Sequence, residues 1–252
     1  MPAEEDIDTI VQSAFFAGVT NGVMVEVGAA SPDYLSISEQ FRKSGWKIIA
    51  IEPNPQFVAK HIARGYKVLQ YACGDEDKED VEFFVVNAQG VEYLGGTVTA
   101  ESFSSLGIKD EFVGLFDRVK DKSTVTSIRV TMRRLDTILA VHEPELKFID
   151  LLAIDVEGWE ISVMRGFTID AYKPKVVILE NLFSKPEYDE YMRAHDYQLW
   201  LRLNHNEIYV RRDQVTTGKR IRAAMLASLQ RVKGFRRKVG RILTLGFSGT
   251  NR

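Results

Sequence analysis

The side chains best placed to do chemistry in this sequence are carboxylates at the ends of apolar runs. Glu26 lies in VMVEVGAASPDYL (23–35), Glu52 in AIEPNP, Asp155 and Glu157 in FIDLLAIDVEG, and Glu180 in KVVILEN. A carboxylate inside an apolar strand is costly unless something pairs with it, so each marks a place where a partner is expected. Gly28, Ala29 and Ala30 follow Glu26 with almost no projecting side chain, and such a turn leaves room for a close visitor. Glu52 stands just after a second apolar run and before Pro53, where folds of this kind hold ribose hydroxyls. Its two oxygens can accept from both hydroxyls at once.

The elements that must position these groups read as an alternation. Ile7, Ile10, Val11 and Phe15 recur at helical spacing, so a short amphipathic helix precedes the first strand. Asp33 is placed to cap a helix through about Ser44, WKIIAIEPNP is a buried strand closed by prolines, and Pro55 suits the first turn of the next helix. KVLQYACG reads as a third strand. Three strands alternating with two helices argue for right-handed crossovers and an α/β fold, its parallel sheet doubly wound and covered on both faces. In such a sheet ligands bind beyond the carboxyl ends of the strands, where the strand order reverses.

VEFFVVN (81–87) and TSIRVTM are strand-like, and Arg134 to Val141 forms a short helix. Between them, Gln89 to Lys122 shows no sustained period and is expected to form a lid or one wall of a pocket. FIDLLAIDV, a helix from Gly158 to Arg165, KVVILEN and a helix from Pro186 to Ala194 resume the alternation. YQLWLRLNHNEIYVRRD closes the body as an antiparallel hairpin about Asn204 to Asn206. The expected division is an N-terminal helix (1–20), one catalytic-size domain (21–213) and a tail (214–252).

Bulk properties narrow the function classes. Of 252 residues, 45% are hydrophobic and 27% charged, enough for one substantial domain plus an appendage. The acidic start MPAEEDIDT is unlike a secretory leader. The single cysteine, Cys73, lies in an apolar segment, where a small core residue is its ordinary role. A cytoplasmic protein is expected. The net charge of −2 hides an asymmetry: from Val215 onward there are ten basic residues and no acid, while residues 1–214 carry 23 basic and 35 acidic side chains.

The turn from Gly28 runs G-A-A-S-P-D and does not match the glycine pattern that cradles a pyrophosphate. A nicotinamide cofactor is therefore disfavoured, and a nucleoside cofactor without phosphates fits, S-adenosylmethionine being the commonest. The ordered set VEVGAAS, AIEPNPQ, YACGDEDKEDVEFFV, MRRLDTIL, IDLLAIDVEGWEISVMRGF and PKVVILEN resembles the FkbM family of S-adenosylmethionine-dependent methyltransferases over roughly residues 20–210. That resemblance implies a class I methyltransferase fold, Rossmann-like and mostly parallel, with seven strands and an antiparallel last strand. It implies methyl transfer to a hydroxyl of a sugar, glycan or small metabolite. By resemblance Glu26, Gly28, Ala29 and Ala30 form the first cofactor motif, Glu52 and Pro53 the ribose corner, and Ala72, Cys73 and Asp75 the adenine flank. Asp155, Glu157 and Gly158 match the D-x-E-G element beside the transferable methyl; by position Asp155 and Glu157 are the candidate bases, with Glu180 and Asn181 on the neighbouring strand end as orienting groups. Asp155 is the first candidate for the base that takes the acceptor's proton.

Plainer roles stand beside these. Asp155 and Glu157 also suit a helix cap and a first-turn acid, and His61, His142, His195 and His205 come with no paired motif and read as structural or solvated. Magnesium on Asp155 and Glu180 is chemically allowed but not expected, so no metal is assigned. Ala30, Pro32 and Ala153 depart from the family pattern and motivate the alternative of a non-catalytic binding or scaffold protein on the same fold. In the tail, Ile221, Met225, Leu229, Val232, Phe235, Val239 and Ile242 recur every three or four residues among basic ones. This pattern suits docking on the body, a second subunit in a homo-oligomer, or an anionic membrane surface. No nucleic-acid partner is expected, because the body is acidic and carries no binding motif.

Overall fold

A computed structural model of the chain describes residues 3–87, 92–93, 96–97, 106 and 124–229. A 3-10 turn (Glu4–Asp6) leads into α1 (Ile7–Phe15), followed by β1 (Val23–Val27), α2 (Ser38–Lys43), β2 (Lys47–Ile51), α3 (Pro55–Ala63) and the short β3 (Val68–Leu69). Next come β4 (Ala72–Gly74), β5 (Lys78–Asn87), β6 (Glu92–Tyr93), β7 (Gly96–Thr97) and β8 (Thr124–Arg134). The last part holds α4 (Leu135–His142), β9 (Leu151–Ile154), α5 (Glu160–Arg165), α6 (Ile169–Tyr172), β10 (Val176–Glu180), α7 (Pro186–Ala194), β11 (Tyr197–Leu203) and β12 (Asn206–Arg211). A helix over 217–229, α8, closes the described chain.

The main sheet has seven strands in the order β11-β12-β10-β9-β1-β2-β3. Every pairing from β10 to β3 is parallel, and β12 alone runs against both of its neighbours. The expected α/β sheet with an antiparallel last strand is what the chain adopts. Strand order reverses between β1 and β9, which makes the carboxyl ends of those two strands the binding crevice. β1, β9 and the first four residues of β10 are buried along their length, as strands covered on both faces must be. Alternation sends Val25, Leu152 and Leu179 into one core layer and Met24, Leu151 and Ile178 into the other.

Three local readings are corrected. The helix expected from Asp33 starts only at Ser38, since Leu35 takes a positive φ of 53° that no helix propagates through. Asp33 caps nothing and instead pairs with Arg64. The expected third strand is two strands: β3 pairs with β2, whereas β4 leaves the main sheet to pair with β8 in a second sheet ordered β4-β8-β5. Its place is set by α5, for Gly166 lies so close that a Cβ there would be 2.1 Å from the Gly74 carbonyl oxygen. The helix expected from Gly158 begins at Glu160, because Glu157 and Gly158 have φ of 55° and 92°.

Apart from β6, β7 and residue 106, the segment expected to form a lid lies outside the described residues. So does the tail beyond residue 229. The described part of the tail, α8, is docked on the body: Ala223 is buried, the Trp200 indole N–H donates to the Lys219 carbonyl at 2.8 Å, and Arg222 donates to the Ser13 carbonyl at 3.1 Å. Among the described residues no helix is long and apolar enough to cross a membrane.

Candidate active site

The tip of β1 is wedged between its neighbours. The N–H groups of Gly28 and Ala29 both donate to the Ile51 carbonyl, at 3.0 and 3.1 Å, and Asp155 N–H donates to the Val27 carbonyl at 3.0 Å. Gly28 has φ +78°, and a Cβ there would stand 1.8 Å from the Asp155 carbonyl oxygen. Only glycine permits both the conformation and the approach.

Glu52 faces the loop that leaves β1. Its carboxylate accepts from Ala30 N–H on one oxygen and Asn54 N–H on the other, both at 2.8 Å, and the residue is only 4% exposed. Burial outweighs these two bonds and pushes its pKa up to about 7. Each oxygen keeps a further lone pair, which is what a vicinal diol requires. Pro53 leads to Asn54, which caps α3 through a bond from Gln56 N–H at 3.0 Å. Buried His61 supports the loop from behind, its Nε2 donating to the Ala30 carbonyl at 3.0 Å, and burial depresses its pKa. This is a structural role, as the sequence reading gave it.

Glu26 is buried on the opposite face from Val25 and Val27. One oxygen accepts from Ser38 N–H at 3.1 Å, and the other is buried with no partner among the described residues. Burial raises its pKa, against the pull of Ser38 and the Arg42 charge. A buried acceptor left unmatched is the kind of group a ligand's donor satisfies. Beside it in register on β9 is Ala153, which offers nothing polar.

At the tips of β9 and β10, oxygens of Asp155, Glu157 and Glu180 all lie within 4.8 Å of one another. Asp155 is open to solvent and the other two are half-buried. Crowding by protein and the charge of Glu160 push Asp155 up to about 7, and crowding with repulsion from Asp155 and Glu160 holds Glu157 and Glu180 well above the usual carboxylate range. Such a cluster retains a shared proton at neutral pH, and its all-oxygen donors also suit a hard cation. Glu4 adds a further negative charge that raises Asp155 and Glu180. It is held there by the amide groups of Asn204 and Asn206, at 2.9 and 3.2 Å.

The turn that carries Asp155 and Glu157 is shaped from below by Glu160, which the sequence reading missed. Fully buried, it accepts from Val156 N–H and Gly158 N–H at 3.0 Å each on one oxygen and from the Tyr188 hydroxyl at 2.5 Å on the other. Asp136, also missed, accepts from the Thr168 N–H at 2.9 Å and hydroxyl at 2.6 Å and so ties α4 to the end of α5. A signal was present for each, an acid two residues beyond D-x-E-G and one inside LDTIL.

The remaining expected residues fall unevenly. Ala72 and Cys73 are 2% and 3% exposed, and Cys73 packs in the core, where burial and then the nearby Glu52 charge raise its thiol pKa, so this segment does border the Glu52 corner. Asp75 accepts from the Ser162 hydroxyl at 3.1 Å and joins β4 to α5. Of the two expected orienting groups, Glu180 joins the cluster, whereas the Asn181 amide bonds Lys185 backbone atoms at 2.8 and 3.0 Å and Glu207 at 3.1 Å.

The crevice therefore has a buried carboxylate with lone pairs to spare at Glu52, an unmatched acceptor at Glu26 and a crowded carboxylate cluster at Asp155. The family model described as the methyltransferase FkbM domain matches residues 26–199. A search of curated proteins returns no match. Among solved structures, a methyltransferase FkbM from Methylobacillus flagellatus KT is similar at 16% identity and a TM-score of 0.48, covering 79% of this chain. This chain spans about half of that one, 47%. With the FkbM model spanning the sheet from β1 to β11 and both acidic corners, the chain belongs to the FkbM methyltransferase family.

Proposed function

We propose that the chain is an S-adenosylmethionine-dependent O-methyltransferase of the cytoplasm that acts on a hydroxyl of a sugar, glycan or small metabolite. The observation that carries this reading is the juxtaposition, at one edge of one sheet, of the Glu52 corner with the Asp155–Glu157–Glu180 cluster. Gly28, pressed against Asp155, fixes the distance between them.

The residues fit the cofactor. Glu52 supplies acceptors for the ribose hydroxyls, and the unmatched Glu26 oxygen supplies one for the ammonium of the amino-acid end. When bound, the sulfonium supplies an electrophilic methyl whose bond to sulfur breaks as the bond to the acceptor oxygen forms. The chain's own part is alignment and proton removal. Asp155, poised near pH 7, takes the hydroxyl proton, and the protein crowded round it together with the charges of Glu160 and Glu4 keeps its affinity for that proton high. The free cysteine buried in the core supports a reducing, cytoplasmic setting.

Calorimetry with S-adenosylhomocysteine tests the cofactor half: binding is expected, with Glu52→Ala weakening it. Absence of binding, or indifference to Glu52→Ala, returns the chain to the scaffold reading, and a thermal shift with NAD alone replaces the cofactor. Methyl-labelled donor offered with sugars, glycans and small hydroxy metabolites tests the acceptor half. An O-methyl ether is the expected product, and label on nitrogen or carbon overturns the assignment.

A further inference from the structure

Helix α8 has two unlike faces. Ala223, Leu226 and Ala227 turn inward onto the layer that holds Phe15 and Trp200. Ile221, Met225 and Leu229, four residues apart, turn outward and are 53%, 63% and 59% exposed. At helical pitch these three fall within an arc of about 80°. Large apolar side chains in a row on a docked helix are a surface that something covers.

Charge indicates what covers it. Exposed Arg220 flanks the row, while Arg222 is held on Ser13 of the body. The sequence that follows, residues 230–252, adds seven basic residues and no acid, with Val232, Phe235, Val239 and Ile242 among them. The body carries the opposite excess, 35 acidic against 23 basic side chains in residues 1–214. A second copy seated on this face would bring ten like charges against ten. A nucleic acid would meet the cations but offer nothing to the apolar row. A bilayer with acidic headgroups answers both, taking the row between its acyl chains and the cations at its phosphates.

We propose that the outer face of α8, together with the basic residues after it, docks this chain on an anionic lipid surface. The inference stands apart from methyl transfer and would hold for a scaffold on the same fold.

The test is co-sedimentation of the full chain with vesicles of phosphatidylcholine alone and of phosphatidylcholine mixed with phosphatidylglycerol. Binding to the mixed vesicles is expected to be at least about tenfold the stronger and to fall as salt is raised. Replacing Ile221, Met225 and Leu229 together by serine should lower it about tenfold while the thermal unfolding midpoint stays put. Arg236→Gln with Arg237→Gln and Lys238→Gln, which leaves the described helix untouched, should weaken it as well. Equal binding to both vesicle types, no binding, indifference to either set of substitutions, or a dimer that the serine variant dissolves would each overturn the proposal.

Discussion

Gly28 and the backbone carbonyl of Asp155 are in such close contact that a Cβ on Gly28 would lie 1.8 Å from the oxygen. The contact joins the cofactor loop to the acidic cluster. Gly28→Ala must therefore part β1 from β9 or twist the loop out of its positive φ of 78°. The left-handed conformation and the forced packing together cost about 2–4 kcal/mol. A lowered denaturant midpoint and loss of S-adenosylhomocysteine binding are expected, and a wild-type midpoint would show that the two strand tips are not packed as described.

Glu52 accepts two backbone N–H groups and still has lone pairs to give. Charge-assisted hydrogen bonds are worth about 1.5–3 kcal/mol each, so losing even one in Glu52→Ala should weaken cofactor binding roughly 10- to 150-fold. Glu52→Gln turns an NH2 toward Ala30 or Asn54 and keeps one acceptor, so an intermediate loss is expected. Calorimetry on the three proteins orders them, and a glutamine variant as tight as wild type removes Glu52 from the site.

The parts of this molecule that were legible are those in which one stretch of chain dictates its own surroundings. A strand buried on both faces is a continuous apolar run, so β1, β2, β9 and β10 announce themselves, and a carboxylate inside one, such as Glu26, is conspicuous. Pro186 fixes the first turn of α7, and Asn204 with His205 forms the tight turn of the last hairpin. What could not be read depends on partners far along the chain. Whether KVLQYACG is one strand or two is decided by β8, where Cys73 pairs with Arg133. The start of α2 is set by a Glu26 oxygen, and the turn at Glu157 by Glu160 and Tyr188. Each is a side chain reaching a distant backbone group, which no local periodicity encodes.

Burial raises the pKa of Glu26, Glu52 and Glu160, and crowding by protein and like charge raises those of Asp155, Glu157 and Glu180. The folded chain then holds protons that the unfolded chain has released, so stability falls as pH rises through the folded-state values. For Glu52 the contribution is complete below about 4.5 and lost above about 7. His61, depressed by burial, works the other way, but only below about 6.5. Between pH 6.5 and 8.0 the cofactor-free protein should therefore lose stability, Glu52 alone contributing on the order of 1 kcal/mol. Urea titrations at the two values measure it. Glu52→Gln should shrink the difference, and a protein more stable at pH 8.0 would contradict the burial described.

Glu160 is a structural carboxylate, and its removal should be felt through the turn it shapes. Glu160→Ala strands Val156 N–H, Gly158 N–H and the Tyr188 hydroxyl, a loss of about 3 kcal/mol or more. Glu160→Gln keeps an acceptor for the two N–H groups and should recover most of that. Both stability and turnover should follow this order, and an alanine variant with normal turnover would mean that the Asp155–Glu157 turn holds itself.

Asp155 is the group expected to take the acceptor's proton, and its surroundings make a specific pH profile. A base poised near pH 7 is ionised only above that value, so kcat should climb through about 7 and level off. Asp155→Asn keeps the shape but cannot accept the proton, and a fall in kcat of roughly 10²- to 10⁴-fold is expected, with S-adenosylhomocysteine affinity little changed. Glu4 offers the sharper test, because it lies outside the D-x-E-G turn and raises Asp155 and Glu180 only through its charge. Glu4→Gln retains an acceptor for Asn204 or Asn206 while removing that charge, so the rising limb should move to lower pH with its plateau nearly unchanged. A limb that stays where it was in Glu4→Gln, or a full-rate Asp155→Asn enzyme, would assign the proton to another group.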